Sequence, residues 1–156
     1  MVEIIQAHTE RYVADVRALF KEYGASLGIS LCFQGFEKEL AELPGDYAPP
    51  AGRLLVALDE KQLAGCVGVR RIDQNICEMK RLYVRLALRG RNVGRKLASA
   101  IIDEAYKIGY EKMRLDTLPS MKEAIQLYRS LGFQPIKPYR PNPMEGAIYM
   151  ELSLRA

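Results

Sequence analysis

The loop Arg89-Gly90-Arg91-Asn92-Val93-Gly94-Arg95 combines the side chains and the backbone freedom needed to hold a polyanion. Its arginines, with Lys96 beyond them, offer charged donors suited to phosphate oxygens. Gly90 and Gly94 let a bulky anion reach main-chain N–H groups without meeting a Cβ atom. A strand-like run, Glu78-Met79-Lys80-Arg81-Leu82-Tyr83-Val84, enters the loop, and an amphipathic helix leaves it. Val93, Leu97, Ile101, Ala105 and Ile108 fall on one face of that helix. Its first turn carries N–H groups with no intrahelical partner and the positive end of the helix dipole. Strand, loop and helix together read as a pyrophosphate cradle.

Two common nucleotide motifs are missing. There is no Gly-x-x-x-x-Gly-Lys-Ser/Thr and no Gly-x-Gly-x-x-Gly. The stretch instead resembles the signature of the GNAT superfamily of acyl-CoA-dependent N-acetyltransferases, whose loop reads Gln/Arg-x-x-Gly-x-Gly/Ala. Arg89, Val93 and Gly94 fit, while Asn92 stands where the first signature glycine is usual; asparagine tolerates left-handed backbone better than most residues. Leu127-Tyr128-Arg129-Ser130-Leu131-Gly132-Phe133 resembles the family's Leu-Tyr-x-x-x-Gly-Phe, so the likeness spans nearly the whole chain. The resemblance implies acetyl-CoA as co-substrate, with its pyrophosphate on the Arg89–Arg95 loop. It also implies pantetheine amides paired along Leu82, Tyr83 and Val84. Met121 occupies a position where the family often has asparagine, so one polar contact to the cofactor is lost or taken over by Ser120.

Acetyl transfer to an amine requires a neutral amine, a stabilised carbonyl oxygen and a leaving thiolate. The resemblance places a base near Glu78, an oxyanion donor among the backbone N–H groups around Leu82, and an acid at Tyr128. A preorganised oxyanion donor is worth roughly 3 kcal/mol. Each of these residues also has a plain structural reading. If the Asp73-Gln74-Asn75 turn holds three residues, Arg70 lies opposite Glu78, and a cross-strand ion pair of about 0.2–1 kcal/mol explains the glutamate equally well. Leu82-Tyr83-Val84 reads as core strand, and Tyr128 shares a helical face with Leu127 and Leu131.

These residues need a scaffold, and the pattern supplies one. Val2 to Gln6 reads as a strand, and Thr9 caps a helix reaching about Tyr23. Phe36, Leu40 and Leu43 suggest a shorter second helix. Arg53–Leu58 and Leu63–Ile72 are strands around a turn at Asp59-Glu60-Lys61, followed by Ile76–Val84. The third helix ends near Gly109, Met113–Thr117 is a strand, and Ser120 caps a fourth helix that stops at Gly132. Ala147 to Leu154 alternates as a final strand. The order β-α-α-β-β-β-α-β-α-β-β predicts an α/β domain over residues 1–156, a mixed, largely antiparallel sheet with helices on both faces.

At 156 residues, 49% hydrophobic and 27% charged, the chain is an ordinary globular domain. It has no eighteen-residue apolar run and no basic-then-apolar leader, so neither a membrane partner nor a secretory route is expected, and a cytoplasmic protein is the simplest reading. The net charge is +4, and the basic residues concentrate between Lys80 and Lys96 with Tyr83 as the one aromatic among them, which argues against a nucleic-acid partner. Cys32, Cys66, Cys77 and the single His8 have no metal-ligand spacing, so no metal is expected. The expected partner is a small-molecule amine acceptor; a protein or peptide amine, a CoA-binding regulatory module without turnover, and a homodimer remain open. Candidate acceptor contacts are Gln34, Arg70, Lys80 and Arg140. Gln34 and Arg140 lie in the segments 28–34 and 139–143, where the resemblance implies acceptor selectivity, and the cations Arg140, Arg70 and Lys80 suit an amine that also bears a carboxylate.

Overall fold

The computed structural model of the chain describes residues 2–26, 35–140 and 146–155. Gln34, with the rest of 27–34, and residues 141–145 lie outside that set. The described strands are β1 Val2–Gln6, β2 Arg53–Asp59, β3 Gln62–Asp73, β4 Ile76–Val84, β5 Lys112–Thr117, β6 Gln134–Ile136 and β7 Ile148–Ser153. The helices are α1 Glu10–Ser26, α2 Phe36–Glu42, α3 Val93–Ile108 and α4 Lys122–Ser130. One sheet runs in the order β1-β2-β3-β4-β5-β7-β6, antiparallel throughout except between β4 and β5. This is the mixed sheet the alternation predicts.

Side-chain period sets the two faces. Leu54, Val56 and Cys66 meet Val16, Leu19 and Phe20 of α1, with Tyr47 beside them. Val67, Val69, Cys77 and Met79 meet Val93, Leu97, Ile101 and Ala105 of α3, and Tyr128 of α4 joins that cluster. Leu97 and Ile101 are fully buried, each worth about 1.5–3 kcal/mol. Left-handed Gly109 and Gly132 close α3 and α4 where the sequence places their ends.

The boundaries differ from the sequence expectation at three places. β2 and β3 are joined by Glu60 and Lys61 alone, at φ 50° and 69°. That geometry ordinarily selects Asn-Gly, so the sequence gives no hint of it. The β3–β4 turn likewise holds only Gln74 and Asn75, but a register shift between Arg71 and Asp73 absorbs the difference and leaves Arg70 opposite Glu78. Met121, not Ser120, stands at the α4 cap, and no side chain caps the helix. The Thr117 hydroxyl donates to the Met121 sulfur at 3.7 Å.

Two irregularities of β4 shape the rest of the molecule. Its pairing with β5 covers Ile76–Glu78 against Lys112–Arg114 and then stops, so the two strands part beyond Glu78 and Arg114. On its other edge, Lys80 pairs with Gly68 and Tyr83 with Cys66, which leaves Arg81 and Leu82 opposite the single residue Val67. Arg81 takes φ 61° at this bulge. The extra residue returns Leu82 and Val84 to the α3 face and Tyr83 to the α1 face.

Candidate active site

Two groups of residues flank the parting of β4 and β5: the loop and uncapped start of α3 on one side, and a cluster of charged side chains around Glu78 on the other. On the first, α3 begins at Val93 after left-handed Asn92, with no side-chain cap, and its first intrahelical bond runs from Lys96 N–H to the Asn92 carbonyl at 3.0 Å. The N–H groups of Val93, Gly94 and Arg95 thus precede the helix ladder. Gly90, at φ 87°, requires glycine for its backbone. Gly94 does not, because a Cβ there would meet Val84 and Leu127 only at ordinary contact distances of 3.7 and 3.8 Å. The fold leaves room at Gly94, which fits a group approaching the helix end from outside.

The arginines of the loop divide in their contacts. The Arg89 Nε donates to the Val84 carbonyl at 2.9 Å. Arg91 donates to Asp59 at 2.8 Å and Arg95 to the Ser130 hydroxyl at 2.7 Å. All three side chains lie at the surface beside the uncapped turn. Val93 is buried and acts as a core residue, while Leu82, Tyr83 and Val84 lie half-buried along the free edge of β4. Residues present therefore suit a pyrophosphate at α3 and an extended amide chain along β4; acetyl-CoA would bring the activated acetyl group.

On the charged side, Glu78 is fully buried and its oxygens are crowded with donors. The Arg70 guanidinium reaches Oε1 through Nε at 3.1 Å and a terminal nitrogen at 3.0 Å. The Tyr139 hydroxyl donates to Oε2 at 2.6 Å, and Arg140 donates to the same oxygen. Burial alone would raise this carboxyl, but Lys80, Arg140 and Tyr139 together hold it below the usual carboxylate range. Arg70, expected opposite Glu78, is thus its cross-strand partner, and Arg140 is brought to it from the loop before β7. Tyr139 is gripped in turn: Arg114 and Arg140 lie 5.2 and 4.9 Å from its ring centroid, and Tyr149 packs edge-on at 5.1 Å.

Lys80 is nearly buried two residues beyond Glu78, and burial brings its ammonium down to about 8. Tyr128 is buried against Phe133, with ring centroids 5.7 Å apart, and burial raises its phenol. Three further residues, unmarked by any sequence motif, join the site. Tyr23 of α1 packs edge-on against Tyr83 at 6.1 Å. Asp116 of β5 acts electrostatically on Tyr128, Tyr23 and Lys80. Glu39 of α2 receives two hydrogen bonds from Arg81, both 3.0 Å. The bulge, at least, is visible as a phase slip: the apolar alternation Cys77, Met79 resumes at Leu82, Val84, one residue late.

Residues 14–133 match the acetyltransferase (GNAT) family. An uncharacterized N-acetyltransferase of Schizosaccharomyces pombe is 43% identical over 90% of this chain and 87% of its own length. An N-acetylaspartate synthetase of Danio rerio is 31% identical over 62% of this chain and 35% of its own. Among solved structures, an N-acetyltransferase of Thermoplasma acidophilum in complex with coenzyme A superposes with a TM-score of 0.74 at 18% identity, covering 98% of this chain and 99% of that one. The uncapped α3 turn and the parted β4 edge are thus found in a chain that belongs to the GNAT family and is an acetyl-CoA-dependent acetyltransferase.

Proposed function

We propose that the protein acetylates the primary amine of a small molecule that also carries a carboxylate or another anionic group. In this reading, acetyl-CoA lies with its pyrophosphate on Gly90–Arg95 and its amides along Leu82–Val84. The acceptor amine attacks the thioester directly in a ternary complex. The carbonyl oxygen is stabilised from the backbone near Leu82, and Tyr128, kept protonated by burial, gives its proton to the departing sulfur. One observation carries the acceptor class: three cations, Arg70, Arg140 and Lys80, gather around two carboxylates, the fully buried Glu78 and the half-buried Asp116. Positive charge is in excess there, and an anionic substituent would complete it. The name of the Danio rerio relative, which denotes acetylated aspartate, points to the same class of amine. With all four donors on its two oxygens, Glu78 serves this reading as the anchor of the Tyr139–Arg140 loop and the acceptor floor. Residues 1–156 work as one domain, and the free thiols of Cys66 and Cys77 suit a reducing, cytoplasmic setting.

The test is thiol release from acetyl-CoA with a panel of L-aspartate, other amino acids, spermidine, an aminoglycoside and a short peptide. Carboxylate-bearing small amines should turn over fastest, and Arg140→Ala should raise their KM while leaving acetyl-CoA affinity unchanged. Robust turnover of spermidine or the peptide, with none for any carboxylate-bearing amine, refutes the acceptor class.

A further inference from the structure

An ammonium group cannot attack a thioester until it has lost a proton, and the carboxylate that family resemblance suggests is fully engaged. Glu78 has Arg70 on one oxygen and Tyr139 with Arg140 on the other, so its roughly four lone-pair sites are taken. The phenols nearby, Tyr23 and Tyr128, are pushed upward by burial and donate rather than accept.

We infer that Asp116 of β5 is the residue that takes the proton from the acceptor ammonium, directly or through one water. Three observations support this placement. Register sets Arg114 beside Glu78, and Asp116, two residues on, lies on the same face of the sheet. It comes just after the β4–β5 pairing ends, so it stands where the two strands part rather than within their ladder. It is half-buried, between the α3 side and the charged cluster.

Asp116 acts electrostatically on Lys80 of β4, Tyr23 of α1, Tyr128 of α4, and Tyr139 and Arg140 of the loop before β7, and Tyr149 is its register partner on β7. This setting places a carboxylate next to both the acceptor cations and the candidate thiolate acid.

The proton balance is closed. The acceptor RNH3+ gives one proton to the Asp116 carboxylate, which later passes it to solvent. The freed lone pair forms the C–N bond, and the C–S bond breaks with its electron pair on sulfur. Tyr128 gives its proton to the thiolate, and the second nitrogen proton, lost as the amide forms, passes through solvent to restore the Tyr128 phenol. Direct attack in a ternary complex is part of the function proposed above, and the inference rests on it.

The experiment compares Asp116→Asn with the unmodified enzyme on two acceptors at saturating acetyl-CoA. L-aspartate must lose a proton before attack; aminooxyacetate also bears a carboxylate, but its weakly basic aminooxy nitrogen is already unprotonated at pH 7. Asp116→Asn should lower kcat with L-aspartate by roughly 10²–10⁴-fold, increasingly so as pH falls, and lower it far less with aminooxyacetate. Acetyl-CoA affinity and the circular dichroism spectrum should be unchanged, and Asp116→Glu should recover part of the rate. Equal losses on both acceptors would make Asp116 structural and overturn the inference. So would amine-selective loss in Glu78→Gln or Lys80→Gln with Asp116→Asn spared. Ping-pong kinetics with acetyl left on the protein would instead refute the direct-attack reading, and would show in the unmodified enzyme.

Discussion

Removing the Glu39 carboxylate tests whether α2 holds the β4 bulge in place. Arg81 sits in left-handed backbone at φ 61°, a conformation that costs a non-glycine residue about 1–2 kcal/mol. Its side chain is only 3% exposed and that of Glu39 12%, so water does little to solvate either charge. The guanidinium makes two hydrogen bonds of 3.0 Å to the carboxylate and stacks 5.1 Å from the Phe36 ring centroid. Breaking a buried pair from one side costs about 3–5 kcal/mol, because the remaining buried charge loses its counter-ion. For a chain of this size Glu39→Ala should therefore lower Tm by roughly 6–20 °C. Arg81→Gly in the same background removes the stranded charge and supplies a residue at ease with positive φ, so the double variant should be more stable than Glu39→Ala alone. The assay is thermal and urea unfolding followed by circular dichroism, with kcat measured on each variant. Since Leu82 follows directly on the bulge, kcat should fall more than acetyl-CoA affinity. A Glu39→Ala variant within about 0.5 kcal/mol of the parent, or a double variant no better than the single, would refute the reasoning.

Gly94→Glu should place a charged side chain where the fold leaves room, and abolish acetyl-CoA binding by calorimetry without unfolding the chain; unchanged affinity would remove the case for the cradle. Tyr128→Phe should slow turnover by roughly 10²-fold or more at nearly constant acetyl-CoA affinity. Glu78 is held below the ordinary carboxylate range, so the folded state keeps it ionised to lower pH than the unfolded chain does. Its contribution to stability is present above the unfolded value and lost as pH falls through the folded one. Glu78→Gln should therefore lose stability at neutral pH and show a shallower fall in urea midpoint from pH 6 to pH 3. Lys80 has the opposite sign: its pKa of about 8 lies below the unfolded value, so the parent should gain stability as pH rises from about 8 to about 10, and Lys80→Met should not.

Much of this molecule is written locally. The 3.6-residue period from Val93 to Ala105 places those side chains in the core, and Gly109 and Gly132 mark true helix ends. The Arg70–Glu78 pairing is also within reach, since one hairpin sets it. Harder to read are contacts that depend on distant chain segments meeting. Asp116 acts on Lys80 only because β5 returns parallel to β4 after the whole of α3, and no spacing in the sequence records that. Glu39 and Arg81 meet across the α2–sheet packing, and Tyr139 reaches Glu78 from sixty-one residues away. Local chemistry also misleads once: Ser120 looks like a cap, yet Met121 takes the position and Thr117 turns to its sulfur.

The row Arg70, Glu78, Arg114, Glu151 crosses four neighbouring strands in a single line of register, with alternating charge. Glu78 joins Arg70, and Arg114 joins Glu151 at 2.8 Å. The row spans the short parallel seam at which the two halves of the sheet meet, where a wrong docking would be easiest. Sliding β5 by two residues so that Asp116 meets Glu78 would keep the apolar face inward yet bring like charges together. The charges therefore proofread the seam, rejecting a misalignment that hydrophobic patterning alone would accept.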